Sequence, residues 1–157
     1  MEDANLFKNI TVLSLEQATV LPYLTLRLAE DGANVIRMEH PVYGDPNRRV
    51  GDNVLNEDRM FSYYLSINAG KKALTLDLGV PEGQKILKEL ILKLKVDIFA
   101  TNQLPRNYAK LGVEYEMLKK IKEDIIWLGM TGFGPKSNEA DYDPVLQARG
   151  GLMELTG

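Results

Sequence analysis

The sequence holds no cysteine and one histidine, His40, among its 157 residues. Without cysteine there is no disulfide, no thiolate nucleophile and no sulfur-ligated metal. One imidazole does not furnish a histidine-rich metal site, so no metal is expected. Basic residues are not in excess: 19 Lys and Arg face 22 Asp and Glu, a formal net charge of −3. Nucleic acid is therefore not the expected partner. A local basic pocket for an anionic ligand remains compatible with that balance. No apolar run approaches the roughly 20 residues of a membrane span, so no membrane partner is expected. The opening residues, MEDANLFKNI, are polar and acidic rather than leader-like. The expected location is cytoplasmic. Three familiar motifs are missing as well. No G-x-G-x-x-G follows the first apolar run, and neither a P-loop lysine motif nor a G-x-S-x-G elbow occurs.

What is present is alternation. ITVLSL (10–15), NVIRMEH (34–40), KALTLDL (72–78), VDIFAT (96–101) and IIWLGMTGF (125–133) are short runs rich in β-branched or aliphatic residues and read as strands. Helical patterns separate them. LPYLTLRLAEDGA has Pro22 in its first turn and Gly32 as a stop. MFSYYLSIN predicts a short helix, and so does EYEMLKKIK. PEGQKILKELILKLK (81–95) opens on Pro81 and Glu82, ends in lysines, and carries Ile86, Leu87, Leu90, Ile91 and Leu94 on one stripe. DPVLQARGGLMEL begins like another helix. The turn-rich stretch from Pro41 to Arg59 reads as a surface loop, long enough to be a binding loop. This order predicts an α/β fold: a Rossmann-like, doubly wound, mostly parallel sheet with helices on both faces. Ligands in such sheets sit beyond the carboxyl ends of the strands. Those ends fall near Glu16–Ala18, Glu39–His40, Leu78–Gly79, Thr101–Asn102 and Gly132–Gly134.

Residue by residue, the polar groups at these ends have plain structural readings. His40 precedes Pro41 and reads as a surface residue. NAGKK (68–72) reads as a glycine stop with a solvated basic turn. Asn102 reads as a cap, and Arg48 and Arg49 as solvated loop cations. Asp143 before Pro144 reads as a helix N-cap, since the Asp carboxylate accepts from free N–H groups and proline has none to lose.

Six segments in order carry a resemblance. They are VLSLEQATVLPYLTLRLAEDGANVIRMEHP, GDPNR, NAGKKALTLDLGVPEGQKIL, VDIFATNQLPRNYAKLGVEYEML, IIWLGMTGFG and YDPVLQARGGLMELTG. Together they resemble family III CoA-transferases, the CaiB/BaiF family, which also includes α-methylacyl-CoA racemase. The resemblance implies coenzyme A or acyl-CoA as ligand and a carboxylic acid as co-substrate. It implies an interlocked homodimer, or a partner chain that supplies what this chain lacks. It identifies residues 1–157 as the N-terminal part of the CoA-binding large domain, with the remaining family architecture absent. In the family, an aspartate takes the acyl group as an anhydride. That nucleophile is expected just beyond Gly157, so the chain is read as truncated.

The resemblance also assigns residues. His40 stands where a basic residue approaches the nucleotide end of CoA, and Leu76 matches an apolar wall for adenine. Asn102 matches an asparagine lining the CoA channel, and Lys110 a basic residue near the phosphates. Gly79 replaces a phosphate-facing lysine, and Gln103 an aromatic. Ala18, Thr19 and Val20 match the loop facing the acyl end. Asp143 matches a supporting carboxylate. Tyr142, also substrate-facing, stands where racemases carry a histidine base. A phenol with an unperturbed pKa near 10 is a poor substitute for that base, which favours acyl-CoA transfer over racemisation. The alternatives are a racemase relative and a non-catalytic CoA-binding or assembly subunit. The isolated 157-residue chain is expected to turn over no acyl-CoA; a product assay on the purified, mass-verified chain checks this.

Overall fold

The computed structural model describes residues 5–140 and 142–157. Five strands form one sheet: β1 (Thr11–Leu15), β2 (Asn34–Glu39), β3 (Lys72–Thr75), β4 (Ile98–Thr101) and β5 (Ile126–Gly129). Their order is β3-β2-β1-β4-β5, and every pairing is parallel. The α/β reading and its parallel sheet therefore hold.

The alternation of side chains along β1 and β2 sorts the two faces. Leu13, Leu15, Ile36 and Met38 point to one side. There they pack with Phe99 of β4 and with Leu87 and Ile91 of helix α3 (Pro81–Lys93). Val12 and Val35 point to the other, against Leu28 and Ala29 of α1 (Val20–Glu30). On that second face the next residues toward the strand ends are not apolar. They are Ser14, Glu16, Arg37 and Glu39, all buried. Helix α2 (Ser62–Asn68) lies over them through Tyr64.

The remaining helices are short: α4 (Tyr108–Leu111), α5 (Tyr115–Lys119), α6 (Asp143–Arg149) and α7 (Leu152–Thr156). The segment from Asp143 begins as a helix, as expected. Gly150 ends α6, and Gly151, with φ of 74°, turns the chain before α7. One expectation needs correction: Asp143 is not the N-cap, since Tyr142 holds that position and Asp143 is the first helical residue. Its carboxylate accepts from Gln147 Nε2 at 2.5 Å, one turn on, instead of from the backbone.

Gly83 explains how closely α3 approaches the sheet. A Cβ there would run into the carbonyl oxygen of Asp77, in the loop that leads from β3 into the helix. Alanine would favour the helix by roughly 1 kcal/mol in propensity. Overpacking against backbone typically costs about 1–3 kcal/mol, and backbone yields less readily than a side chain. Gly83→Ala is expected to lower stability by about 2 kcal/mol net of propensity, read as a lowered urea midpoint with unchanged slope.

Candidate functional site

The strand ends meet at a cleft of about 320 Å³. Its inner wall is apolar: Leu15, Met38, Leu76, Leu78 and Leu111. Its polar groups are Glu16 and Gln17 after β1, Glu39 and His40 at the end of β2, Asp77 after β3, Gln103 after β4, and Lys110 on α4. His40 Nδ1 accepts the backbone N–H groups of Val42 (3.1 Å) and Tyr43 (3.3 Å). Its other nitrogen faces Asp77 Oδ1 at 3.7 Å. The ring lies on Tyr43, centroids 4.5 Å apart. Asp77 is fixed in turn by the N–H of Gly79, at 2.8 Å.

Behind this wall lies a buried charge cluster. Glu39 takes a two-pronged bond from Arg48: Nε to Oε2 at 2.7 Å and Nη2 to Oε1 at 2.8 Å. It also accepts from the Tyr64 hydroxyl and from Asp45 N–H, both at 3.1 Å. Arg37, only 1% exposed, reaches Asp45 at 2.7 Å and Glu39 at 3.3 Å. Glu16 is held by Lys71 (3.0 Å) and by the Thr25 hydroxyl (2.6 Å). Lys71 completes its set with Pro22 O and Asn68 Oδ1. The Tyr64 ring has Arg48 over it at 3.9 Å and Arg37 at 4.9 Å.

Burial raises the Glu39 carboxyl, but the Arg48 hydrogen bonds and the nearby Arg37 charge outweigh it, and its pKa falls below the ordinary value. Burial pushes the Lys71 ammonium down, with Glu16 opposing. Tyr64 is pushed up, first by burial.

Two sequence readings are thereby corrected. Arg48 is not solvated; it is the main counter-ion of Glu39. In NAGKK the first lysine, Lys71, is buried with its side chain 1% exposed, and only Lys72 is exposed. The signal for both was a long-range one: buried carboxylates at strand ends that need cations.

Of the residues assigned by resemblance, His40, Leu76 and Lys110 come together at the cleft. Asn102 does not line it. Its side-chain amide clamps the loop after β1, accepting from Gln17 N–H (3.1 Å) and donating to Gln17 O (2.8 Å). Ala18, Thr19 and Val20 lie beyond that clamp, outside the cleft lining. Ala18 has φ of 61° and its carbonyl accepts from Asn47. The Thr19 hydroxyl meets Tyr63 at 3.2 Å, and Val20 is 63% exposed. Tyr142, 74% exposed, caps α6 and Asp143 is its first residue; both are outside the lining. Gln17, Tyr43 and Asp77 line the cleft without having been singled out.

Over residues 7–157 the chain matches the model of CoA-transferase family III. The chain belongs to CoA-transferase family III. Among family members it is 35% identical over 153 residues to a mouse protein named succinyl-CoA:glutarate CoA-transferase, covering 96% of this chain and 34% of that one. It is 34% identical to a Chloroflexus aurantiacus protein named succinyl-CoA–L-malate CoA-transferase beta subunit, covering 91% of this chain and 36% of that one. A solved CAIB/BAIF family protein from Brucella suis superposes with a TM-score of 0.83 at 32% identity, over 96% of this chain and 40% of the other. This family III chain thus spans little more than a third of the relatives it matches. Among its described residues no helix is long and apolar enough to cross a membrane.

The lowered Glu39 pKa stabilises the fold above its unfolded value, near 4.5, and that contribution is lost as pH falls through the lower folded value. Glu39→Gln is expected to flatten the loss of stability below about pH 4.5, while lowering stability at pH 7. Urea midpoints across the acid range measure both.

Proposed function

We propose that this chain is the coenzyme-docking part of an acyl-CoA:carboxylate CoA-transferase. The observation that carries the reading is the cleft itself, with a cation and an apolar wall at the strand ends of a family III fold. Leu76 offers an apolar surface for the adenine, Lys110 a positive charge for phosphate, and His40 a ring beside the nucleotide end. Asn102 serves by holding the Gln17 backbone. Ala18, Thr19, Val20 and Tyr142 are proposed to face the acyl end, with Asp143 as a bordering carboxylate.

In the whole transferase a free carboxylate is a poor electrophile, and a buried enzyme carboxylate can take the acyl group as a mixed anhydride. CoA thiolate leaves as that bond forms; the carboxylate of the second acid then displaces the first acid from the enzyme's carbonyl, and the thiolate attacks the acyl carbonyl of the new anhydride, freeing the enzyme carboxylate. Family relatives named for succinyl, glutarate and malate transfer support carboxylic acids as co-substrates. A second copy of the chain, or a partner chain, is proposed to complete the acyl site. The word "subunit" in the Chloroflexus relative's name favours such a two-chain arrangement.

Titration calorimetry of the purified chain with CoA is expected to show one saturable site. Lys110→Met removes one exposed charge and should weaken CoA about fivefold, roughly 1 kcal/mol at high dielectric. A wild-type titration indistinguishable from dilution overturns the reading.

A further inference from the structure

The cleft has an electrostatic problem. Glu16, Glu39 and Asp77 all contribute to its lining, whereas Lys110 is its one lining Lys or Arg side chain among the described residues. A ligand bearing several phosphate charges would be repelled by such a wall. Glu39 and Glu16 are, however, paired on their far side. Arg48 grips both oxygens of Glu39, and Lys71 sits 3.0 Å from Glu16. Arg37 lies between them, 3.3 Å from Glu39 and 3.8 Å from Glu16. None of these three cations lines the cleft.

We propose that Arg48, with Arg37 and Lys71, is a charge-balancing residue for ligand binding: these cations neutralise Glu39 and Glu16, whose carboxylates lie buried beside the cleft and would otherwise repel a polyanionic nucleotide through their field. The inference rests on the CoA reading above. Arg48 touches no ligand in this account; it acts through Glu39. A guanidinium is the suitable group, because it stays charged at all accessible pH and matches a carboxylate two-pronged. Lys71 performs the same service for Glu16 with three acceptors fixing its ammonium: Glu16 Oε1, Pro22 O and Asn68 Oδ1.

The test compares CoA with dephospho-CoA, which carries less negative charge, on the full chain at low and physiological salt. Arg48→Gln unmasks Glu39 and is expected to weaken CoA roughly tenfold, as one uncompensated charge at short range in a partly buried site predicts. The loss should be smaller for dephospho-CoA. Arg48→Lys keeps the charge but breaks the fork, and should retain CoA affinity within about threefold. Glu39→Gln leaves Arg37 and Arg48 in excess and should tighten CoA binding. Misfolding cannot mimic that gain.

Equal losses in Arg48→Lys and Arg48→Gln would overturn the proposal in favour of a purely structural fork. So would weaker CoA binding by Glu39→Gln, or equal losses for the two ligands. Wild-type binding with an unaffected Arg48→Gln sinks the charge-balance idea alone. Absence of wild-type CoA binding sinks the CoA reading and this inference with it. If Arg48→Gln does not fold, Arg48→Lys and Glu39→Gln still decide.

Discussion

The carboxylate of Glu39, gripped by Arg48 and flanked by Arg37, is the interaction on which the rest of the site depends. It sits at the end of β2, under Tyr64 of α2, and it receives the Asp45 N–H from within the loop after β2. One residue thus ties a strand, a helix and a loop together. Taking charges out of water is expensive, and pairing offsets this only with good geometry and satisfied hydrogen bonds. Glu39 and Lys71 meet that condition. Arg37 meets it in part, since its Nη1 finds no hydrogen-bond partner among the described residues. Such a cluster is weak support for stability in itself. Its effect is to fix geometry: breaking one member leaves another buried and unpaired.

The same cluster decides what the cleft can hold. The parallel order places β1 at the centre with β2 and β4 beside it, so the loops after all three converge. Asn102 then staples the loop after β4 to the loop after β1. The result is a cleft with a leucine and methionine lining, with Glu39 and Glu16 paired to Arg48 and Lys71 beside it and Lys110 in its lining. A ligand with a flat apolar end and phosphates is compatible with that surface.

Much of this was legible along the chain, and the reasons differ. The strands were visible because buried parallel strands are continuous apolar runs, and α3 because its apolar stripe repeats at helical spacing. The position of the cleft followed from the strand ends. The start of α6 was legible in Asp143–Pro144, and Gly150–Gly151 marks the break before α7. Local reasoning failed for Arg48 and Lys71. Each sits in a polar, turn-like stretch, and charge in such a stretch is ordinarily solvated. Neither sequence window contains the partner that changes its environment. Glu39 is nine residues from Arg48, and Glu16 is 55 from Lys71.

The sequence by itself determined the class of fold, its parallel order of alternating elements, and the family resemblance, because periodicity and ordered motifs are properties of the chain. Which side chains face the cleft was decided only in three dimensions. His40, Leu76 and Lys110 lie up to seventy residues apart and meet there, while Asn102, predicted to face a ligand, turned to the backbone of Gln17. The burial of Arg37 and of the Lys71 side chain, and the partial burial of Arg48, were decided there too. A cation is buried only where carboxylates from other elements arrive to pair with it, and that meeting belongs to the packing of α1, α2 and the sheet.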